Sequence, residues 1–421
     1  MPAPRFSALI APATLAFAVL ALPPAGAAAS QVSVRGTDIL VDGRPFVPNG
    51  AAGETRLPEL KALGANVVRT YGQEPGEILD AAQRAGLKVI VGFWMGHPRL
   101  GFDYRNRQAT EAQLESLRHM VERYRNHPAL LMWGIGNEVE VELPPAEVLA
   151  TVWPAIEEAA RLVKTLDPSH PTLAVVAELG TDKARQIKEL APSIDVLGVN
   201  GYGDGLLTSA TRARMQGWTG PVVLTEMGAL GHWEAAKTPW GARVEPTSSQ
   251  KADVMRRYLT AANHAGIGTI VFLWGQKQEV TPTWYSLLLP TGEWTETVEV
   301  MADQWDGNPP GGDNHAPRIL SFRLDGPAVL PRNGTVVARV ATTDPDGDPL
   351  KVEWQVMAES TAPSVGGDPQ PVPPSFPDAV HEPQPNAARI GPLPPGAYRV
   401  FVTVRDGRGA AATGNLPLYV R

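Results

Sequence analysis

The stretch that most restricts the fold is ALLMWGIGNE, residues 129–138. Its apolar run, Leu130 to Ile135, carries no polar face and reads as a parallel strand buried on both sides. The run stops at Gly136, Asn137 and Glu138. A carboxylate at the tip of a buried strand is costly unless it opens on a cleft or finds partners. The segment PVVLTEMG, residues 221–228, repeats the plan and ends its run in Glu226. The interval between the two glutamates suits about three βα units of roughly 30 residues each. Both acids are therefore expected on one rim of a barrel, at the ends of strands four and seven.

The rest of the chain supports eight such units. Residues 31–50 read as a β-hairpin, with Asp42-Gly43 as a turn, and Phe46 to Pro48 enters as strand one. Strand two is expected over residues 66–70 and strand three over 87–93, ending in Trp94. A helix over about 75–85 stops at Gly86, a C-cap glycine. Strand five follows at 172–176 and strand six at 195–199, with Asn200 and Tyr202 just beyond. Strand eight, 269–273, ends in Trp274. Strands alternating with helices over residues 30–305 predict an α/β fold, a (β/α)8 TIM barrel. A doubly wound sheet would need a glycine-rich phosphate turn, and Asn49-Gly50-Ala51-Ala52-Gly53 lacks that spacing. No P-loop, HExxH helix or GxSxG elbow is present.

Residues 306–317, DGNPPGGDNHAP, read as a linker. Residues 318–421 carry short β-branched runs separated by turn clusters, which predicts a small all-β Ig-like sandwich with Trp354 in its core. Its proline-rich stretch, 361–386, reads as a long loop or an insertion. At the other end, residues 1–29 have the form of a cleaved signal peptide: Arg5, an apolar run from Ala8 to Leu22, then small residues. No other stretch is apolar enough to span a membrane, so a periplasmic or secreted bacterial location is expected. The chain has no cysteine, which removes disulfides, thiol nucleophiles and thiolate metal sites. A net charge of −7 without long runs argues against nucleic acid as a partner. Oligomeric state is not legible.

The ends of the barrel strands gather Arg69, Trp94, Asn137, Glu138, Asn200, Tyr202, Glu226 and Trp274. Two facing carboxyl groups are the minimum for cleaving a glycosidic bond. Glu138 is assigned as general acid/base and Glu226 as nucleophile. Arg69 and Tyr202 are placed to keep Glu226 ionised, and Asn137 to meet a sugar hydroxyl. Trp274, Trp94 and Trp133 are candidate stacking floors for a pyranose, with core packing as the other reading of each. For Arg69 a structural salt bridge is the alternative. His97 reads as a loop residue that could also line the cleft. Glu140/Glu142 and Glu157/Glu158 read as solvated faces. The histidines show no ligand spacing, so neither a catalytic metal nor a cofactor is expected.

With GIGNE at Asn137-Glu138 and VVLTEMG at Glu226, the chain resembles clan A of the glycoside hydrolases. These are retaining enzymes on (β/α)8 barrels. The resemblance implies the same two roles for the glutamates, and matches Arg69, Tyr202 and Trp274 to the strand-two Arg, strand-six Tyr and strand-eight Trp. LPELKALGANVVRTYG, 58–72, is similar to family 2 catalytic domains and to family 72 β-glucan transglycosylases. NHAPRI and ATTDPDGDPLKVEW make residues 318–421 resemble Ig-like or PKD-like modules. Asp344, Asp346 and Asp348 in that stretch suit a tight turn, with calcium binding as the alternative.

These readings imply a secreted or periplasmic retaining β-glycosidase acting on an oligo- or polysaccharide, a β-glucan or related glycan. Retention requires carboxyl groups about 5–5.5 Å apart. A β-glucan transglycosylase would use the same glutamates with a sugar acceptor. The rival of another class is a non-catalytic glycan-binding envelope protein whose working part is the sandwich.

Overall fold

The computed structural model describes residues 30–72, 74–361 and 367–421; the expected signal peptide, 1–29, lies outside them. The chain opens with a three-stranded antiparallel sheet, β1 (Val32–Arg35), β2 (Asp38–Val41) and β3 (Arg44–Pro45). Asp42-Gly43 turns β2 into β3. Val32 and Ile39 pack with Val67, Ile90, Leu131 and Val196, so this sheet plugs the floor of the barrel.

Eight parallel strands then close into a barrel: β4 (Asn49–Ala52), β5 (Val67–Arg69), β6 (Lys88–Phe93), β7 (Leu130–Ile135), β8 (Thr172–Ala177), β9 (Val196–Tyr202), β10 (Val222–Gly228) and β11 (Gly268–Val271). Strand order follows the chain, with β11 pairing back onto β4. Alternate residues of these strands fill the barrel interior and the layer beneath the helices, which is why the runs are apolar throughout. The helix Gly76–Ala85 does end on Gly86, which adopts φ 74°.

Strand one is not Phe46–Pro48 but β4, the sequence NGAA. Small residues there answer a packing demand. A Cβ on Gly50 would lie 1.8 Å from the Val67 carbonyl oxygen, so any side chain would push the neighbouring strand away.

The C-terminal domain is a sandwich of two four-stranded sheets. One holds β12 (Arg318–Leu324), β14 (Val336–Thr343), β16 (Val380–Gln384) and β17 (Ala387–Ile390). The other holds β13 (Val329–Leu330), β15 (Lys351–Ala358), β18 (Gly396–Arg405) and β19 (Ala411–Val420). Trp354 is half-buried against both of its apolar clusters. The stretch between the domains is packed: Asn308 N–H donates to Ala62 O at 2.7 Å, and Asn314 Nδ2 to Asp406 Oδ2 at 2.7 Å.

The two domains are joined by buried polar contacts as well. Lys251 reaches Glu245 at 2.5 Å, and Asn415 Nδ2 donates to the other Glu245 oxygen at 2.5 Å. Arg399 of the sandwich gives one N–H to Asn415 Oδ1 at 2.7 Å and another to the carbonyl of Arg243 at 2.6 Å. Among the described residues no helix is long and apolar enough to cross a membrane.

Candidate active site

The C-terminal ends of the barrel strands surround a cavity of about 290 Å³. Glu138 and Glu226 both line it, with Tyr71, Trp94, Asn137 and Tyr202. A larger cavity of about 650 Å³ lies between barrel and sandwich and contains neither glutamate.

Glu226 sits near the end of β10 and is 7% exposed. Three donors hold it. Tyr71 and Tyr202 each give a phenolic O–H at 2.8 Å, one to each carboxylate oxygen, and Arg69 Nη1 lies 3.2 Å from Oε1. Burial raises both phenols well above their ordinary value, so they stay protonated and keep donating. These bonds stabilise and orient a carboxylate.

Glu138 sits just past β7 in a left-handed conformation, φ 52°, two residues after Gly136 at φ 73°. A glutamate in that region is strained, a feature that concentrates at functional sites. Its N–H is fixed to Val175 O at 3.0 Å. Burial, then the negative charge of Glu226, push its carboxyl up to about 8, against a weaker opposing hydrogen bond from Asn200. One acid is thus favoured as a proton donor, while the other is built to accept cationic and O–H donors. This separation of environments is how a carboxyl pair divides acid from nucleophile.

Arg69 and Asn200 stand behind the carboxylates. Arg69 Nη2 donates to Asn137 Oδ1 at 2.6 Å, and Asn200 Nδ2 donates to Asn137 Oδ1 at 3.0 Å and to Glu138 Oε1 at 2.8 Å. The three side chains tie strands β5, β7 and β9 together beneath the cavity. Trp94 lines the cavity and stacks on buried His97, with ring centroids 4.7 Å apart.

Other candidates fall elsewhere. Trp274 is 1% exposed, belongs to the core, and gives its indole N–H to Thr55 O at 2.8 Å. The strand-eight aromatic on the cavity is Phe272, two positions earlier. Trp133 is also core, bonded to Asp167 Oδ2 at 2.8 Å. Glu140 is not solvated: it is 6% exposed and pairs with Lys183 at 2.7 Å. Glu157, half-buried, caps Ser193 through its N–H and hydroxyl at 2.8 and 2.9 Å.

Sequence reasoning did not single out Tyr71, Trp233 or Phe272, all on the cavity wall. Tyr71 was signalled only by its place two residues after Arg69. Lys277 and Glu279, on the loop after β11, complete that wall with Gly367 of the sandwich. In the sandwich, ligand atoms of Asp344, Asp346 and Asp348 lie within 4.8 Å of one another. Asp344 Oδ1 accepts the N–H groups of Asp346 and Asp348 at 2.9 and 3.0 Å, and Asp348 pairs with Arg408 at 3.0 Å, so the group staples its own turn.

Residues 58–226 match the family model described as Glycosyl hydrolases family 2, TIM barrel domain. A Streptococcus agalactiae β-glucuronidase is 29% identical over 219 residues, which is 46% of this chain and 35% of that protein. Human β-glucuronidase is 29% identical over 148 residues, 34% of this chain and 20% of the relative. The chain thus spans about a third or less of the length of these curated relatives. Among solved structures, β-glucuronidase 2 of Bacteroides uniformis superposes with TM-score 0.51 at 14% identity, over 93% of this chain and 48% of that one. The family 2 β-galacturonidase of Eisenbergiella tayi gives TM-score 0.50 at 19% identity, over 66% and 54%. These two likenesses are of fold.

Proposed function

We propose that the chain, whose barrel resembles the family 2 glycoside hydrolase barrel, is a retaining β-glycosidase that hydrolyses the O-glycosidic bond of a β-linked glycan. The observation that carries this is the pair Glu138 and Glu226 on one cavity, the first held as an acid and the second cradled by Arg69, Tyr71 and Tyr202.

Glu226 attacks the anomeric carbon as the bond to the leaving oxygen breaks. Glu138 gives its proton to that oxygen. The covalent ester neutralises Glu226, and with that negative neighbour gone Glu138, having given up its proton, is stable as a carboxylate. It then takes a proton from water, whose oxygen attacks the same carbon and releases the sugar with Glu226 restored. Trp94, Trp233 and Phe272 offer faces for the sugar ring.

A β-glucan or related glycan is the substrate expected from sequence, while the curated relatives are named β-glucuronidases. Transfer to a sugar acceptor shares the first half-reaction. It is favoured by aromatic walls on both sides, Trp94 beside the Glu138 strand and Trp233 with Phe272 on the Glu226 side. Export to the periplasm or medium is part of the proposal and rests on residues 1–29. The test is product release from aryl β-glycosides and β-glucans by wild type beside Glu226→Ala and Glu138→Ala. Turnover by wild type that Glu226→Ala abolishes supports the proposal, and product lengths separate hydrolysis from transfer. Three inert proteins that bind one polysaccharide equally would instead favour a glycan-binding protein.

A further inference from the structure

One part of the cavity wall is unusual in its origin. Lys277 and Glu279 line it, with Lys277 Nζ 2.8 Å from Glu279 Oε2. Both lie on the loop after β11, which the barrel holds in part: His232 Nε2 is 3.5 Å from Glu279 Oε1, and Thr281 Oγ1 donates to Glu245 Oε2 at 2.5 Å. Val280 has φ 60°, a conformation that a β-branched residue strongly disfavours. Thr281 N–H returns to Glu279 O at 2.7 Å, which closes a three-residue turn around it.

The stretch Gly367–Gln370 of the sandwich fastens this turn. Gln370 Oε1 accepts the N–H of Val280 at 2.8 Å. Asp368 forms a two-pronged pair with Arg99 at 2.6 and 2.8 Å, on the loop after β6. Gly367, at φ 76°, lies so close to the ammonium that a Cβ there would be 2.8 Å from Lys277 Nζ. The stretch therefore links the loop after β6 to the loop after β11, with Gly367 on the cavity wall.

We propose that the sandwich is a working part of the catalytic pocket: Asp368 and Gln370 are positioning residues that hold Lys277 and Glu279 where the bound glycosyl unit offers its hydroxyl or carboxylate groups. Lys277 supplies a donor and Glu279 an acceptor, so their placement selects the glycone and does not enter the bond-breaking step. The inference rests on the glycosidase reading of the cavity.

The experiment measures kcat and KM on the aryl β-glycoside that wild type turns over best. Asp368→Ala and Gln370→Ala should each raise KM about tenfold, equivalent to about 1.4 kcal/mol, with kcat and melting temperature close to wild type. Gln370→Glu keeps an oxygen acceptor and should restore KM. The exchanged pair Arg99→Asp with Asp368→Arg should recover most of what either single change loses. Wild-type KM in the Asp368→Ala/Gln370→Ala double variant would overturn the proposal while leaving the glycosidase reading intact. So would kcat losses that track a fall in melting temperature, with no rescue by Gln370→Glu. A wild type that cleaves no β-glycoside would sink the glycosidase reading and this role with it.

Discussion

Asn200 Nδ2 donates to Glu138 Oε1 at 2.8 Å from the neighbouring wall of the barrel, and the same side chain accepts from Thr225 Oγ1 at 2.9 Å. It couples the acid to the strand that carries Glu226. The bond favours the charged form of Glu138 against burial and the negative neighbour, which push the carboxyl up to about 8. Activity requires Glu138 protonated, so kcat/KM should fall as pH rises through that value. Asn200→Ala removes the opposing bond and should move this alkaline limb to higher pH. A pH–rate profile of both proteins checks the direction, and a limb that moves down would contradict it.

The same burial makes Glu138 a stability liability. Its folded value stands above the ordinary carboxyl value of 4.5. Stability is therefore fully present below the unfolded value and is lost as pH rises toward the folded one. Glu138→Gln has no such loss. Its melting temperature should exceed that of wild type by a margin that grows across this window, while activity on poor leaving groups falls by about 10²–10⁴. An aryl glycoside with a strongly acidic phenol needs no protonation and should retain its first step. A margin that shrinks with pH would count against the buried-acid assignment.

Tyr71→Phe and Tyr202→Phe each remove one O–H bond to Glu226 at 2.8 Å. Hydrogen bonds to charged groups contribute roughly 1.5–3 kcal/mol. Each variant should lose about tenfold or more in kcat, with a fall in melting temperature no larger than one such bond accounts for. Steady-state kinetics beside calorimetry decides it; unchanged kcat in both would mean that the phenols are not holding the nucleophile.

Phe272 and Trp274 separate binding from packing. Phe272→Ala should raise KM, because Phe272 lines the cavity. Trp274→Ala should chiefly lower stability, by about 3–5 kcal/mol as for a fully buried aromatic, because the ring is 1% exposed and bonded to Thr55 O. Denaturant titration and KM measured on both variants test the assignment, and the reverse pattern would restore Trp274 as the sugar floor.

The joint between the domains should behave as core. Glu245→Ala takes the carboxylate from Lys251, whose side chain is only 12% exposed, and the 2.5 Å acceptor from Asn415 Nδ2. Breaking a buried pair costs about 3–5 kcal/mol. Calorimetry should show barrel and sandwich melting together in wild type and at lower temperature in the variant. Two separate transitions in wild type would show that the contact couples them weakly.

What the sequence made legible depends on where a physical signal is local. The barrel could be read because its strands are buried on both faces, and a polar residue after such a run marks its end: Asn137, Glu138, Tyr202 and Glu226 all declare themselves this way. The strand-eight run, VFLW, has no polar stop, so its pattern continues to Trp274, whereas β11 finishes at Val271. β4 is NGAA, small and polar, because Gly50 must approach Val67, a demand set by a strand still to come. Glu140 looked solvated because Lys183, its partner, belongs to the next unit. Gly367 and Gln370 sit in a proline-rich loop of another domain, and nothing local says that the loop ends at the catalytic mouth.

The most direct test is to trap the covalent intermediate. Wild type is incubated with 2-deoxy-2-fluoro β-glycosides of the sugars whose aryl glycosides it cleaves, and the labelled protein is digested and mapped by mass spectrometry. One glycosyl group on Glu226, in stoichiometric yield and absent from Glu226→Ala, is the predicted result. Turnover of β-glycosides with no covalent species, or a label on a residue other than Glu226, would contradict it.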